Sequence, residues 1–465
     1  MIGLPHVPSG RAVAESRVLD RSGLAHRYRQ SRARSAALFD LIDDEAYYAR
    51  PIALRLPFVF YEGHLPFFSF STLVRRALGR PSIDQRMEAL FARGIDPHEA
   101  QASSAGATRA ALSWPTRSEV GALAAEADRQ VLDALENAEL ERPGDPLLQR
   151  AESALCISEH EAMHQETLLY MLHRLPPAMK RRPAAYLAKT EGAPPAQSFV
   201  DVPIGSVTIG VDPDRETFTW DNERLAHTVS VGAFHIERHN VTNSQFMEFI
   251  EAGGYRDERW WRAEDWRWVH SEKLTHPPFW IHEDGRWWWR GMFEIIALPP
   301  AWPVYVTQAE ATAFARWRGA RLPTEAEYHR AACGDPNGRE RRHPWGDDGP
   351  EAHHGVFDFS SFDPEPAGSH PAGASAWGVE DLVGNGWEWT SSVFAPFPGF
   401  EPLPCYPEYS ADFFDGEHFV MKGASPATAR ELLRPSFRNW FRARYPYVYA
   451  TFRCVKGSPN EGRAV

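Results

Sequence analysis

His160 and His164, in His160-Glu-Ala-Met-His164-Gln-Glu166, stand four residues apart in this 465-residue chain. On a helix, residues four apart share a face, so both imidazoles can address one metal ion. Spacing alone is a weak signal, because a chain with 19 histidines is expected to contain such a pair by chance. His235 and His239 are one such decoy. Their segment reads as strand, where four residues span about 13 Å, too far to chelate one ion. For the first pair the plain alternative is a solvated helix face. The side of the helix decides: Ser153, Ile157, His160, His164 and Met171 form an inward stripe. Burying two imidazoles without a partner is costly, so a metal or ligand is the cheaper account. A third donor is His64, in the apolar run Leu54-Arg-Leu-Pro-Phe-Val-Phe-Tyr-Glu-Gly-His64-Leu-Pro-Phe-Phe. Its plain reading is a satisfied core histidine. Three neutral imidazoles would leave open positions on a metal, which suits Fe(II) with O2 or a catalytic zinc. Glu62 and Glu166 are either acceptors for an imidazole N–H or ordinary helix charges.

The elements that must hold these residues divide the chain in two. Of 17 tryptophans, only Trp114 precedes position 200. Residues 1–190 read as helices. Asp20–Ile42 is charged and Ala-rich with an apolar stripe, and Thr116-Arg-Ser-Glu119 has the form of a capping box. Asp145-Pro146 reads as the start of a helix running unbroken to Leu175, a rod of roughly 45 Å. After a Pro/Gly/Ala linker at 187–198, residues 191–465 change character. Short alternating runs (Ser206–Gly210, His227–His235), dense turns and helices at Ser244–Ala252, Thr307–Arg318 and Thr324–Cys333 indicate α+β. A net charge of −12 argues against nucleic acid and anionic membranes as partners. The four cysteines are scattered, with no CxxC pair. No apolar leader and no run of 18 apolar residues is visible, so a cytoplasmic protein is expected. No GxGxxG or P-loop suggests an organic cofactor.

Taken together, the pieces resemble a known family. Phe60-Tyr-Glu-Gly-His64 and His160-Glu-Ala-Met-His164-Gln-Glu166 are followed by Arg321-Leu-Pro-Thr-Glu-Ala-Glu327, Pro344-Trp-Gly and Val383-Gly-Asn-Gly-Trp-Glu-Trp-Thr390. Then come Tyr409-Ser-Ala-Asp-Phe-Phe-Asp-Gly416 and Leu433-Arg-Pro-Ser-Phe-Arg-Asn-Trp440. In this order they are similar to the non-haem iron sulfoxide synthases, the ergothioneine and ovothiol enzymes with their selenium-using relatives. The resemblance covers nearly the whole chain. It implies an N-terminal all-α DinB-like four-helix bundle and a C-terminal α+β formylglycine-generating-enzyme-like (C-type-lectin-like) domain. It also implies Fe(II) held by His64, His160 and His164 at the domain junction. The family reaction uses O2 to join a sulfur or selenium donor to the imidazole of a histidine derivative. Formylglycine generation itself needs a cysteine pair, and Gly423-Ala-Ser-Pro-Ala-Thr-Ala-Arg430 has none. A non-catalytic sugar-binding module is the remaining alternative, and it leaves the three histidines unexplained.

The resemblance implies hercynine, the trimethylammonium betaine of histidine, as acceptor. Such a cation is best held by aromatic faces, and Tyr409, Asn439 and Trp440 match positions lining that pocket. Met163 departs from the glutamine usual before the second iron histidine. Tyr406 matches a tyrosine that delivers a proton or hydrogen atom during O2 reduction. At the donor site, Phe441 stands where thiol-using relatives carry an aspartate. Trp114 lies where donor-binding arginines are expected, with only Arg109 and Arg117 nearby. A zwitterionic cysteine or γ-glutamylcysteine would lose its ion pair there. Aromatic faces suit a sugar ring, so the expectation is a selenoneine synthase joining a selenosugar to hercynine. The alternative is an ergothioneine-type enzyme with a thiol donor. The ovothiol enzymes usually carry a further methyltransferase.

Overall fold

The computed structural model describes residues 19–92 and 114–457, which form two compact units. One takes the described residues up to Ala184 together with the later segment Glu401–Asp412, and the other takes the rest.

The first unit is a helical bundle built on α1 (Arg21–Phe39), α2 (Phe58–Ser69), the short α3 (Gln85–Leu90), α4 (Arg117–Asn137) and α5 (Glu152–His173). Its ends follow local chemistry. Asp20 caps α1 by accepting from the Gly23 N–H at 2.9 Å. Thr116 and Glu119 close the expected capping box on α4, the Thr116 N–H donating to Glu119 at 2.8 Å. α2 carries Pro66 in its interior and runs on into an eight-residue π-helix, Phe70–Ala77. Such i→i+5 stretches are rare and cluster at functional sites.

The long rod expected from Asp145 is shorter. Asp145 caps a separate turn by accepting from the Leu147 N–H at 3.0 Å. Arg150 and Ala151 then take left-handed backbone angles, φ 60° and 57°, which break the helical path. α5 starts only at Glu152, and its 22 residues span about 33 Å.

The second unit is α+β. A four-stranded sheet is centred on β8 (Gly386–Val393) and β9 (His418–Ala424), with β10 (Asn439–Arg442) on one edge beside β9 and β11 (Ala450–Thr451) on the other beside β8. Among the described residues, two three-stranded sheets and one antiparallel pair, Gly205–Ile209 with His227–Val231, complete the strands. The run expected at His227–His235 is two strands, His227–Val231 and Phe234–Glu237, which join different sheets. Three helices begin at Thr242, Thr307 and Thr324, and each has a complete capping box. Seven of the 17 tryptophans are buried, and six of them, Trp220, Trp280, Trp289, Trp302, Trp387 and Trp389, are fully so. Among the described residues, no helix is long and apolar enough to cross a membrane.

Candidate metal centre

α5 and α2 bring the three histidines together. His64, His160 and His164 are buried, and one ring nitrogen from each lies within 4.8 Å of the other two. Among the described residues they are the one such group. The Nε2 atoms of His160 and His164 are 3.1 Å apart. Two nitrogens each about 2.1 Å from a shared ion would sit about 3.0–3.4 Å apart at 90–109°, so this spacing fits a bound cation.

Protonation agrees with that fit. Burial, followed by the charge of His164 and His64, holds the His160 imidazole well below the usual histidine range. Burial, His64 and Arg55 do the same for His164. Both rings are therefore neutral ligands. Their Nδ1 atoms find no hydrogen-bond partner among the described residues. His64 is oriented differently: its Nδ1–H donates to the Phe91 carbonyl at 2.8 Å, which turns Nε2 towards the other two rings. The donor set is all imidazole, a set that suits iron, zinc, copper or nickel.

Glu62 accepts from the Tyr47 hydroxyl and from Arg117 at 3.3 Å, and Glu166 is buried on α5. A backbone carbonyl orients His64, and no residue type announces that in a sequence. Sequence reading also missed Phe68, whose ring lies flat on His160 at 3.4 Å and 9°. Gly63 has a defined reason: a Cβ there would come within 2.4 Å of the Phe91 ring.

Tyr406 and Tyr409 reach this unit on Glu401–Asp412. The Tyr406 ring is half-buried, 5.1 Å from Phe68 and 5.8 Å from His160 between centroids. The Tyr409 hydroxyl donates to the Met163 sulfur at 3.2 Å. Arg76, on the π-helix, holds the segment by donating to the carbonyls of Cys405 at 3.2 Å and Pro404 at 3.5 Å. Burial and a hydrogen bond to Cys405 keep the Cys156 thiol protonated. Trp114 packs edge-on against Phe60, 6.4 Å away, and Phe60 in turn stacks on His64. Arg117 is engaged with Glu62 and Asp44 and sits over Tyr47, while Arg109 lies outside the described residues.

Asn439, Trp440 and Phe441 belong to β10 in the second unit. Arg438 anchors this strand through a buried bidentate pair with Glu325, at 2.9 and 3.1 Å. Phe394 covers one face of the Trp440 indole, at 4.2 Å and 4°. Phe441 stacks on Tyr445 at 4.8 Å. The Asn439 side-chain oxygen accepts from the Trp440 N–H at 2.9 Å.

Comparison with known proteins matches residues 27–168 to the DinB superfamily. Residues 184–458 match the sulfatase-modifying factor enzyme 1-like domain. The hercynine oxygenase of Mycolicibacterium thermoresistibile is 43% identical over 295 residues, 61% of this chain and 64% of that protein. The hercynine oxygenase of Mycolicibacterium smegmatis is 40% identical over 342 residues, 72% of this chain and 77% of that protein. The formylglycine-generating enzyme of Mycobacterium tuberculosis is 31% identical over 298 residues, 55% of this chain and 97% of that protein.

Proposed function

Because the chain belongs to the sulfoxide synthase family, in which a DinB bundle is joined to a formylglycine-generating-enzyme-like domain, we propose that it is a non-haem iron enzyme that uses O2 to join a thiol donor to hercynine. The observation that carries this reading is the convergence of three buried imidazoles, two of which, His160 and His164, their surroundings hold neutral. Iron bound there supplies open positions for substrates and one-electron chemistry with O2.

The chain's own residues then have definite tasks. His64, held by the Phe91 carbonyl, and His160, flattened against Phe68, are fixed before any ligand arrives. Tyr406 has its phenol ring beside His160, which supports a role in delivering a proton or hydrogen atom during O2 reduction. Tyr409 and Met163 form a wall whose polar hydroxyl is turned onto sulfur. For the trimethylammonium group of hercynine, Trp440 offers an aromatic face and Asn439 an amide.

A second reading keeps hercynine and replaces the thiol by a selenosugar. Phe441 favours it, because it presents an aromatic ring stacked on Tyr445 where an acid would pair with the donor's ammonium. Arg117 is already committed to Glu62 and Asp44, which leaves it poorly available to a donor carboxylate.

The experiment is anaerobically prepared Fe(II) protein given hercynine and O2, with cysteine, γ-glutamylcysteine and a 1-selenosugar compared as donors. A sulfoxide of hercynine with either thiol supports the first reading, and preference for the selenosugar replaces it by the second. Absence of an O2-dependent product with all three refutes both. In the second case Phe441→Asp should lower activity with the selenosugar and raise apparent affinity for cysteine or γ-glutamylcysteine ten- to a hundredfold, since a restored, partly buried charge pair contributes about 1.5–3 kcal/mol.

A further inference from the structure

α5 is buried on nearly every side: of its 22 residues, all but Ser158, Met163 and Thr167 are buried. Apolar contact is non-directional, so a helix buried all round has no solvent-facing side to fix its rotation. Directional bonds must do so, and the position of two metal ligands depends on the result.

Two such bonding residues directly follow the ligands, Glu161 after His160 and Gln165 after His164. Each lies about 100° around the helix from the ligand before it, on the side facing α1. Gln165 is completely buried and fully used. Its Oε1 accepts from Arg34 Nε at 2.6 Å. Its Nε2 donates to the Ser31 carbonyl at 3.0 Å and to the hydroxyls of Ser31 and Ser35 at 3.2 and 2.9 Å. Glu161, also fully buried, accepts from Arg32 at 3.0 Å and from the Ser35 hydroxyl at 2.6 Å. Ser35 is the node, because its one hydroxyl accepts from Gln165 and donates to Glu161. Burying an amide and a carboxylate is costly, and an apolar pair of similar volume is often as stable or more so. Stability alone therefore gives this network no rationale. A fixed rotation does.

We propose that Ser35, Gln165 and Glu161 are positioning residues for the metal centre: they lock the rotation of α5 against α1 so that the His160 and His164 Nε2 atoms converge. This rests on the triad being a metal site. None of the three needs to touch the metal. Gln165 and Glu161 act through the backbone of the ligands beside them, and Ser35 acts through both.

The test is anaerobic titration of the full-length apoprotein with Co(II), reading affinity and the visible ligand-field spectrum alongside the thermal midpoint of the apoprotein. Ser35→Ala and Gln165→Leu should each weaken Co(II) binding ten- to a hundredfold and alter the spectrum. Tyr28→Phe is the control. It deletes a buried α1 hydroxyl that donates to Asp128 on α4 at 2.7 Å, so it should lower the midpoint and leave Co(II) affinity within twofold. Wild-type affinity and spectrum in both Ser35→Ala and Gln165→Leu would overturn the proposal, as would equal weakening in Tyr28→Phe. Wild-type protein that binds no Co(II) and no Fe(II) would overturn the metal reading beneath it, a separate and recognisable failure.

Discussion

Gly63→Ala offers a demanding test of how the third ligand is held. The added Cβ would lie 2.4 Å from two carbons of the Phe91 ring and 2.6 Å from a third. Carbon contacts are comfortable at about 3.5–4.0 Å, so the ring must retreat by about 1 Å. Phe91 is 1% exposed and wedged among Phe60, Phe67 and Trp114, which leaves little room for retreat. Overpacking of this kind costs about 1–3 kcal/mol. Replacing glycine by alanine inside a helix returns up to about 1 kcal/mol. The clash is at the severe end, so the expected net loss is about 1–2 kcal/mol, or a fall of about 2–8 °C in the midpoint of the bundle unit. A second effect follows from the Phe91 carbonyl, which orients His64 at 2.8 Å. If the ring shifts, so does that carbonyl, and metal affinity should drop about tenfold. Calorimetry on the apoprotein reads the first effect and metal titration the second. Phe91→Leu should remove part of the clash, so the double variant should be less damaged than the two single changes added together. A Gly63→Ala protein that is more stable than wild type and binds metal normally would refute the whole chain of reasoning.

Three further outcomes are expected. His164→Ala should lower bound iron and abolish turnover, whereas His235→Ala, at an exposed ring bonded to Asp201, should do neither; full iron occupancy after replacing each triad histidine in turn would remove the site. Tyr406→Phe should keep iron and substrate binding while slowing bond formation or diverting O2 towards oxidised donor, and an unchanged rate and product ratio would make it a plain packing aromatic. Burial pushes the Glu223 carboxyl up, but Arg434, Ser436 and the Trp220 N–H outweigh it, and its net value lies below the ordinary one. Its stabilising effect is therefore present above the unfolded value of about 4.3 and lost as pH falls through the lower folded value. Glu223→Gln should destabilise the second domain at pH 7 and flatten its acid sensitivity below about pH 4, and an unchanged pH–stability curve would contradict this.

The histidine triad was legible because helix periodicity puts His160 and His164 on one face and the apolar run around His64 demanded burial. The Thr116 capping box was equally readable, since an N-cap is a local pattern, and Asp20, Thr307 and Thr324, where expected helical segments began, are caps as well. The start of α5 was not. The left-handed angles at Arg150 and Ala151 belong to residues with no glycine to announce them. Nor could spacing show that Tyr406 stands beside His160, a tertiary contact between distant parts of the chain. Many residues that carried the family resemblance are scaffold. Arg434 and Ser436 bind the buried Glu223, Arg438 binds Glu325, and Glu327 closes a capping box while pairing with Arg321. Trp387 and Trp389 fill the core, and Glu388 beside them pairs with the fully buried Arg453. Such residues identify a fold because a buried charge without its partner is so costly.

The grouping of Glu401–Asp412 with the bundle has a consequence for biogenesis. The ribosome delivers all three histidines by residue 164, but Tyr406 emerges only after the intervening chain has been made. At about 5–20 residues per second that interval is roughly 10–50 s. A nascent bundle can thus assemble its triad before the tyrosine exists to stand beside it. Vectorial synthesis sets the order: ligands first, phenol last. The same order constrains dissection of the gene. A fragment ending at Ala184 would carry every histidine of the triad and lack Tyr406, Tyr409 and Cys405. The metal-binding bundle and its aromatic neighbours are inherited together only when the cut lies beyond Asp412.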